Sequence, residues 1–598
     1  MNATSTAATA WAWRGLWAAA LGIGAWLAVN ACYRADDFGL LREAWADGDF
    51  GAALAHWWRL HVEPRDPGAW PKFYRPAWHA TFLVDAHLFG ATAAWSAALS
   101  WSLHVANVGL VAMLTRRFVG TGIWPLFAAF LCLLPGAAMQ APTWIAARCQ
   151  VLATTGTLAA IAFATATNLR PGPRAVGTTV AVLVAAGAHD FGATAGLLAA
   201  FAAWVQSRGS TTRTAWPATI ALPTVLAVAW LAWRASRLGV WIGGYEASGN
   251  VAPFRLLDTL ATGMGALVLP GDGTLSFGLT AGVGTAALLA LCVASLLPHR
   301  RRAAAGIAAA TILLSLAPAV GNSFRGSELV NGRYLYTAHC AWVLGLAALL
   351  SVCESGRGRR LAHGLAVIAG GATTAGFVSV THGLQHTFDT TRAVFAAIDE
   401  LPATPTVLLG LPDADGPHLI GRNALPAALG PPFRRMQPHV LGWATEFDLQ
   451  HGFVLGVATV FDAAPDAAAR HWNGPTRTFV AVHPDPPPLS TSPSTRPQLL
   501  PPVAPNDATW TFRGSPGDGV VLLAGDVACE LDLGAAGRLG VAKAQRLPIG
   551  VADAAGALRF QLPATALAAR RLQAVAIRGF GPSMHLSNLH EPAAGSGR

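Results

Sequence analysis

For about its first 380 residues the chain alternates long apolar runs with short, Arg-bearing joints; after that the segments become shorter and more mixed. The apolar runs fall at 11–32, 94–115, 121–137, 144–167, 175–190, 191–206, 217–236, 275–297, 303–320, 334–353 and 361–383, roughly eleven in all. About 20 apolar residues is the length at which a helix crosses the hydrocarbon core, and in lipid only a helix satisfies every backbone group within one segment. Two of the runs are short for a full crossing. The pattern predicts a mainly α-helical, multi-pass membrane protein with an extramembrane C-terminal region. The polar, uncharged start at Met1–Ala10 offers no small-residue cleavage site after the first run, so that run reads as a retained helix.

Composition agrees. Of 598 residues, 53% are hydrophobic and 12% charged, against about 25% charged in a soluble protein. Mean hydropathy is +0.42. The net charge of +10 does not point to nucleic acid, because the Arg residues sit in short loops between apolar runs, where they set topology. The seven cysteines form no CxxC pair or His/Cys cluster, which excludes a zinc site or disulfide framework as the organising feature. Arg14, Arg116-Arg117, Arg170 with Arg174, Arg208 with Arg213, Arg300 to Arg302 and Arg357 with Arg359-Arg360 alternate with Arg-poor loops. The positive-inside rule puts these clusters in the cytoplasm, and an odd number of crossings sends everything after residue 383 outside. A missed helix in 250–275 inverts that end. The Ala/Arg-rich, Lys-poor composition fits a bacterial inner membrane with a periplasmic outer face.

On this topology the external loops carry most of the acids. Asp36 and Asp37 lie directly after the first run, an expensive place for charge and so a functional candidate, with a solvated helix stop as the plain alternative. The loop at 33–93 has apolar and aromatic residues at helical spacing, among them Leu40, Trp45, Phe50, Leu54, Trp57 and Trp58, which predicts amphipathic helices on the membrane surface. Pro76 suits a first helical turn and leaves Arg75 at its entrance. There Arg75 binds phosphate bidentately or pairs with Asp36 or Asp37. His104 and Asn107 share one helical face and read as interhelical hydrogen bonds.

The order of several short motifs carries a resemblance. The Asp36-Asp37 pair, Tyr74-Arg75-Pro76, Phe82 to Gly90 (FLVDAHLFG) and Leu103 to Leu110 (LHVANVGL) resemble the GT-C class of integral-membrane glycosyltransferases. The nearest likeness is to its protein O-mannosyltransferase-like branch. Thr143 to Arg148 (TWIAAR) looks like that branch's Trp-Ile-x-x-Arg helix start, and Asn331 to Tyr336 (NGRYLY) like its late Arg-Tyr-Leu-Tyr segment. The likeness spans roughly residues 11–350. Two positions depart from it: Cys149-Gln150 stands where an acid often follows the arginine, and His189-Asp190 where a Lys-Glu pair is common.

What the resemblance implies is a glycosyltransferase moving a sugar, hexosyl or mannosyl, from a polyprenyl-phosphate donor to an acceptor on the external face. Such a transfer needs a carboxylate to take the acceptor's proton and cations to stabilise the departing phosphate. Asp36 or Asp37 is the candidate base; two adjacent acids also offer oxygen ligands to a divalent cation such as Mg or Mn. Arg75, Arg148, His189, Asp190, Arg333 and Tyr336 are the candidate phosphate and substrate binders, each Arg having interfacial anchoring as its plain alternative. The expected partners are the polyprenyl-phosphate-linked donor and membrane lipid. A transporter or flippase of lipid-linked saccharides, or a non-catalytic relative with a binding role, stand as the other readings.

The domain plan places the membrane domain at 1–384, a small external α/β domain at 385–483, a Pro-rich linker at 484–505 and a β-rich module at 506–598. Strands are expected at 405–411, 477–482, 508–514, 519–533, 557–562 and 572–580.

Overall fold

Every apolar run carries a helix in a computed structural model of the chain. The structure describes residues 3–62, 74–90, 92–207, 221–238, 253–269, 276–296, 301–320, 324, 326–353, 357–415, 418–421, 425–429, 432–433, 439–446 and 467–481, and beyond these the strands between 498 and 586. It divides into two compact units: residues 1–388 with 414–419 and 426–434, and residues 389–413, 420–425 and 435–598. The first unit therefore closes four residues beyond the expected 384 and recruits two later segments.

The first unit opens with α1 (Ala3–Asn30). Three helices then lie in the loop at 33–93: α2 (Asp36–Trp45), α3 (Phe50–His61) and α4 (Pro76–Val84). The side chain of Asp49 caps α3, accepting from the amides of Gly51 at 2.8 Å and Ala52 at 3.1 Å. Phe50, Leu54 and Trp58 stand at i, i+4 and i+8 on α3 and are all exposed, an apolar row of the kind an interfacial helix turns to lipid. The bundle continues through α5 (Ala93–Phe118), α6 (Trp124–Leu133), α7 (Gln140–Thr143), α8 (Arg148–Ala164), α9 (Pro171–Ala188), α10 (Ala195–Ser207) and α11 (Leu222–Leu238). It closes with α12 (Pro253–Val268), α13 (Phe277–Leu296), α14 (Arg302–Leu316), α15 (Tyr336–Val352) and α16 (Arg357–Asp399). Among the described residues seven helices are long and apolar enough to cross a membrane, eight if the bent pair at Trp124–Leu133 and Gly136–Thr143 counts as one.

The helix α12 is the element that hydropathy did not count. Arg255 and Asp258 dilute its apolar character, while Leu260 and Met264 are buried. Its 16 residues span about 24 Å, short of the ~30 Å core. Small residues set the closest helix approaches: a Cβ on Gly156 of α8 would stand 2.6 Å from the Ala185 amide nitrogen of α9. Large side chains such as Leu21, Val29, Leu296 and Val367 are exposed on the outer faces of α1, α13 and α16, as expected of lipid-facing positions.

In the second unit, the strand β1 (Thr406–Leu411) is buried along its whole length. It pairs in parallel with Val440–Thr445 on one side and Ala468–Asn473 on the other, and Thr478–Ala481 closes the sheet antiparallel. Further on, Gly519–Gly525 pairs antiparallel with Gln545–Val551 and Arg571–Arg578. The expected linker lies mostly outside the described residues, but Gln498–Leu500 within it is a strand paired to Thr509–Arg513.

Candidate active site

The run at 144–167 is broken at its start, and that break organises one face of the first unit. Trp144 is extended between α7 and a short turn at Ile145–Ala147, and α8 begins only at Arg148. The break leaves the Ala146 amide free of helical bonding, and Asp37 takes it: Oδ1 accepts from Ala146 at 2.6 Å, and Oδ2 accepts from the Arg34 amide at 3.0 Å. Asp37 is 1% exposed. Burial pushes its carboxyl up to about 7, with the two amide donors and the Arg34 charge working against the shift. Asp36, one residue back on α2, is half-buried.

Between Arg34 and this pair sits Ala35, with φ 46° and ψ −128°, a left-handed conformation strained for any side chain. Packing holds it: Ala35 is fully buried in an apolar cluster with Trp144, Ala146, Ala147 and Leu419.

A second group lies around Trp144. The Arg333 guanidinium stands over the Trp144 ring at 5.0 Å and the Tyr334 ring at 4.6 Å. Its backbone amide donates to Gln140 Oε1 at 3.2 Å. Tyr334 and His189 are neighbours, ring centres 6.3 Å apart. Arg75 Nη2 donates to Asp190 Oδ2 at 3.1 Å and lies 3.2 Å from His189 Nε2. Arg234 Nε donates to the other Asp190 oxygen at 2.8 Å. Burial works against the Asp190 charge, but the Arg75 and Arg234 guanidiniums overcome it and pull the carboxyl down to about 2. Burial first and the Arg75 charge second push His189 well below its ordinary range, so the imidazole is neutral.

The sequence candidates thus separate. Asp37, Arg75, His189, Asp190 and Arg333 gather in the first unit around the broken helix start. Arg75 pairs with Asp190 rather than with Asp36 or Asp37. Arg148 faces elsewhere: it is fully buried, with Nη1 on Asp85 Oδ2 at 2.6 Å, Nε on Ser100 Oγ at 2.9 Å and Nη2 on the Ser96 carbonyl at 3.0 Å. Its donors are spent on α5 and the end of α4, which gives it an anchoring task. Tyr336 also turns away, into the bundle, where its hydroxyl meets His104 Nδ1 at 2.6 Å and Asn107 Nδ2 at 3.1 Å. These are the interhelical bonds expected of His104 and Asn107. Sequence reasoning passed over Arg34 and Arg234. An arginine inside an apolar run, as Arg234 is, was the available signal.

For a divalent cation the ligand set is thin. Among the described residues no three His, Cys, Asp or Glu side chains group closely enough to hold a metal, and Asp37 already spends both oxygens on amide hydrogens.

The described fold and site define a multi-pass helical membrane protein with a buried carboxylate and a cluster of cations and aromatics on one face. No family model matches the chain, and no curated protein matches it in sequence. Among solved structures, it is similar to ArnT from Cupriavidus metallidurans bound to undecaprenyl phosphate, with TM-score 0.42 and 15% identity over 78% of this chain and 93% of that one. It is also similar to the apo state of the same protein, with TM-score 0.32 and 16% identity over 79% and 94%. A likeness at this level fixes neither site nor chemistry.

Proposed function

We propose that the chain is a GT-C-like membrane glycosyltransferase that moves a sugar from a polyprenyl-phosphate donor to an acceptor on the external face. The observation that carries the reading is Asp37: a buried carboxylate, oriented by two backbone amides, with an affinity for protons suited to neutral pH. A general base works best when its pKa lies near the working pH. The acceptor's hydroxyl or amine attacks the anomeric carbon while Asp37 takes its proton. The bond from that carbon to the phosphate oxygen breaks, and its electron pair leaves on the phosphate. Arginine is the side chain suited to meet that charge, and Arg333, whose guanidinium lies over the Trp144 and Tyr334 rings, is the sequence candidate that packs on the residue at the break. Arg75, Asp190 and Arg234 hold the neighbouring elements together.

The ordered sequence motifs favour mannosyl or another hexosyl transfer. The inner membrane as location and the outside as the face of the C-terminal region follow from the positive-inside count with α12 taken as too short to cross. The test is transfer from a radiolabelled polyprenyl-phosphate sugar in membranes containing Asp37→Asn or Asp36→Asn. Loss of transfer in Asp37→Asn at normal protein levels is the expected result; full activity in both variants overturns the reading.

A further inference from the structure

A buried cation stands beside Asp37 with its hydrogen-bonding face unused. Arg34 is 1% exposed, and neither Nη1 nor Nη2 has a hydrogen-bond partner among the described residues. Its backbone is fully engaged: the amide donates to Asp37, and the carbonyl accepts from Trp144 Nε1 at 3.4 Å. The guanidinium lies over the Phe388 ring at 5.7 Å. Asp37 balances its charge from nearby but offers it no hydrogen bond, both carboxylate oxygens being held by amides.

A second buried polar side chain lies close by. His418 is 1% exposed, and neither ring nitrogen has a side-chain partner among the described residues. Its neighbour Leu419 packs in one apolar cluster with Ala35, the residue after Arg34, which brings the two side chains near each other; burial first, and then the Arg34 charge, lower the imidazole to about 3. The hairpin bearing it, Ala414–Asp415 with His418–Leu419, is fastened to α16. Asp415 accepts from His386 Nδ1 at 2.5 Å and from Thr387 Oγ1 at 3.3 Å. Gly383 on α16 leaves room beside the ring, since a Cβ there would stand 3.9 Å away. Leaving so many buried donors unmet is costly, and the strained Ala35 between Arg34 and the Asp pair adds to the cost.

We propose that Arg34, with His418 beside it, forms an anion site that takes a phosphate group, Nη1 and Nη2 donating in parallel to two phosphate oxygens. The planar fork of a guanidinium matches phosphate in this way. That the phosphate belongs to the lipid-linked donor rests on the glycosyltransferase reading; that the site takes phosphate rests on the buried, unmet Arg34 fork. Held there, the group stands next to the carboxylate proposed as base.

Binding to the full chain in detergent tests this, with polyprenyl phosphate compared against the matching polyprenol and with inorganic phosphate as competitor. The wild type should prefer the phosphate over the alcohol. Arg34→Gln should cut that preference about 10- to 100-fold, as expected for losing charge-assisted bonds, with Arg34→Lys intermediate and His418→Gln a few-fold lower. Competition by inorganic phosphate, lost in Arg34→Gln, marks a site for phosphate from either source; no competition marks one that needs the lipid chain. Wild-type preference in both Arg34→Gln and His418→Gln overturns the proposal. If Arg34→Gln does not yield monodisperse protein, His418→Gln alone decides. Arg34-dependent phosphate binding without sugar transfer overturns the glycosyltransferase reading and leaves this site standing.

Discussion

Replacing Asp37 by Asn should separate stability from activity, and the sign can be worked from the site. A carboxyl raised to about 7 keeps its proton in the folded chain where the unfolded chain, near 3.9, has already lost it. Between those values the native state binds more protons, so stability falls as pH rises from about 4 to about 7 and levels off above. Three units at 1.36 kcal/mol each make the cost of ionised Asp37 roughly 4 kcal/mol at pH 8. Asn cannot ionise, and it keeps one oxygen for either the Ala146 or the Arg34 amide. Asp37→Asn should therefore match the wild type near pH 4.5 and exceed it at pH 8, while sugar transfer is lost. In the wild type, transfer should rise with slope one in log rate against pH and level off above about 7. Thermal unfolding in detergent at a series of pH values, beside rate–pH profiles, reads both effects. Parallel stability curves for the two proteins refute the buried-carboxylate argument; a rate limb surviving in Asp37→Asn refutes Asp37 as the base.

Three further substitutions follow from the same geometry. Ala35→Gly removes the strain at φ 46° and should stabilise the protein by about 1 kcal/mol, part of the gain being offset by the looser unfolded chain; a lower melting temperature contradicts this. Asp85→Asn strands the fully buried Arg148 charge and should cost about 3–5 kcal/mol, whereas Asp85→Leu combined with Arg148→Met should recover most of it in the same unfolding assay. Asp190, held near 2 by Arg75 and Arg234 after opposing its burial, contributes stability that is full above pH 4 and lost as pH falls through 2, about 2–3 kcal/mol. Asp190→Asn should remove that acid limb and lower stability at pH 7, which unfolding at pH 3 and pH 7 measures.

What the sequence made legible was the path of the backbone more than the partner of each side chain. An apolar run of membrane length has one way to satisfy its peptide groups, so the helices could be read; α12 escaped because Arg255 and Asp258 hide a half-buried helix from a hydropathy window. Strands in the second unit could be read where apolar residues run together, as at Thr406–Leu411, and less well where pairing partners arrive from afar. The site candidates lie on segments that meet in the first unit, yet neighbours in a motif point in different directions. Asp36 and Asp37 stand about 100° apart on one helix, so one stays half-exposed while the other reaches Ala146, 109 residues on. Tyr334 and Tyr336 differ by about 200° where the backbone is helical; the first joins Arg333, and the second bonds His104 in the bundle. Arg148 looked equivalent to Arg75 and Arg333 until Asp85, 63 residues earlier, claimed it. Arg34 drew no notice because nothing in its local sequence separates a solvated arginine beside two acids from a buried one. Only the turn at Ala35, forced by packing against Trp144 and Leu419, sends it inward. A motif fixes which segment reaches a site, and tertiary packing fixes which of its side chains do the chemistry there.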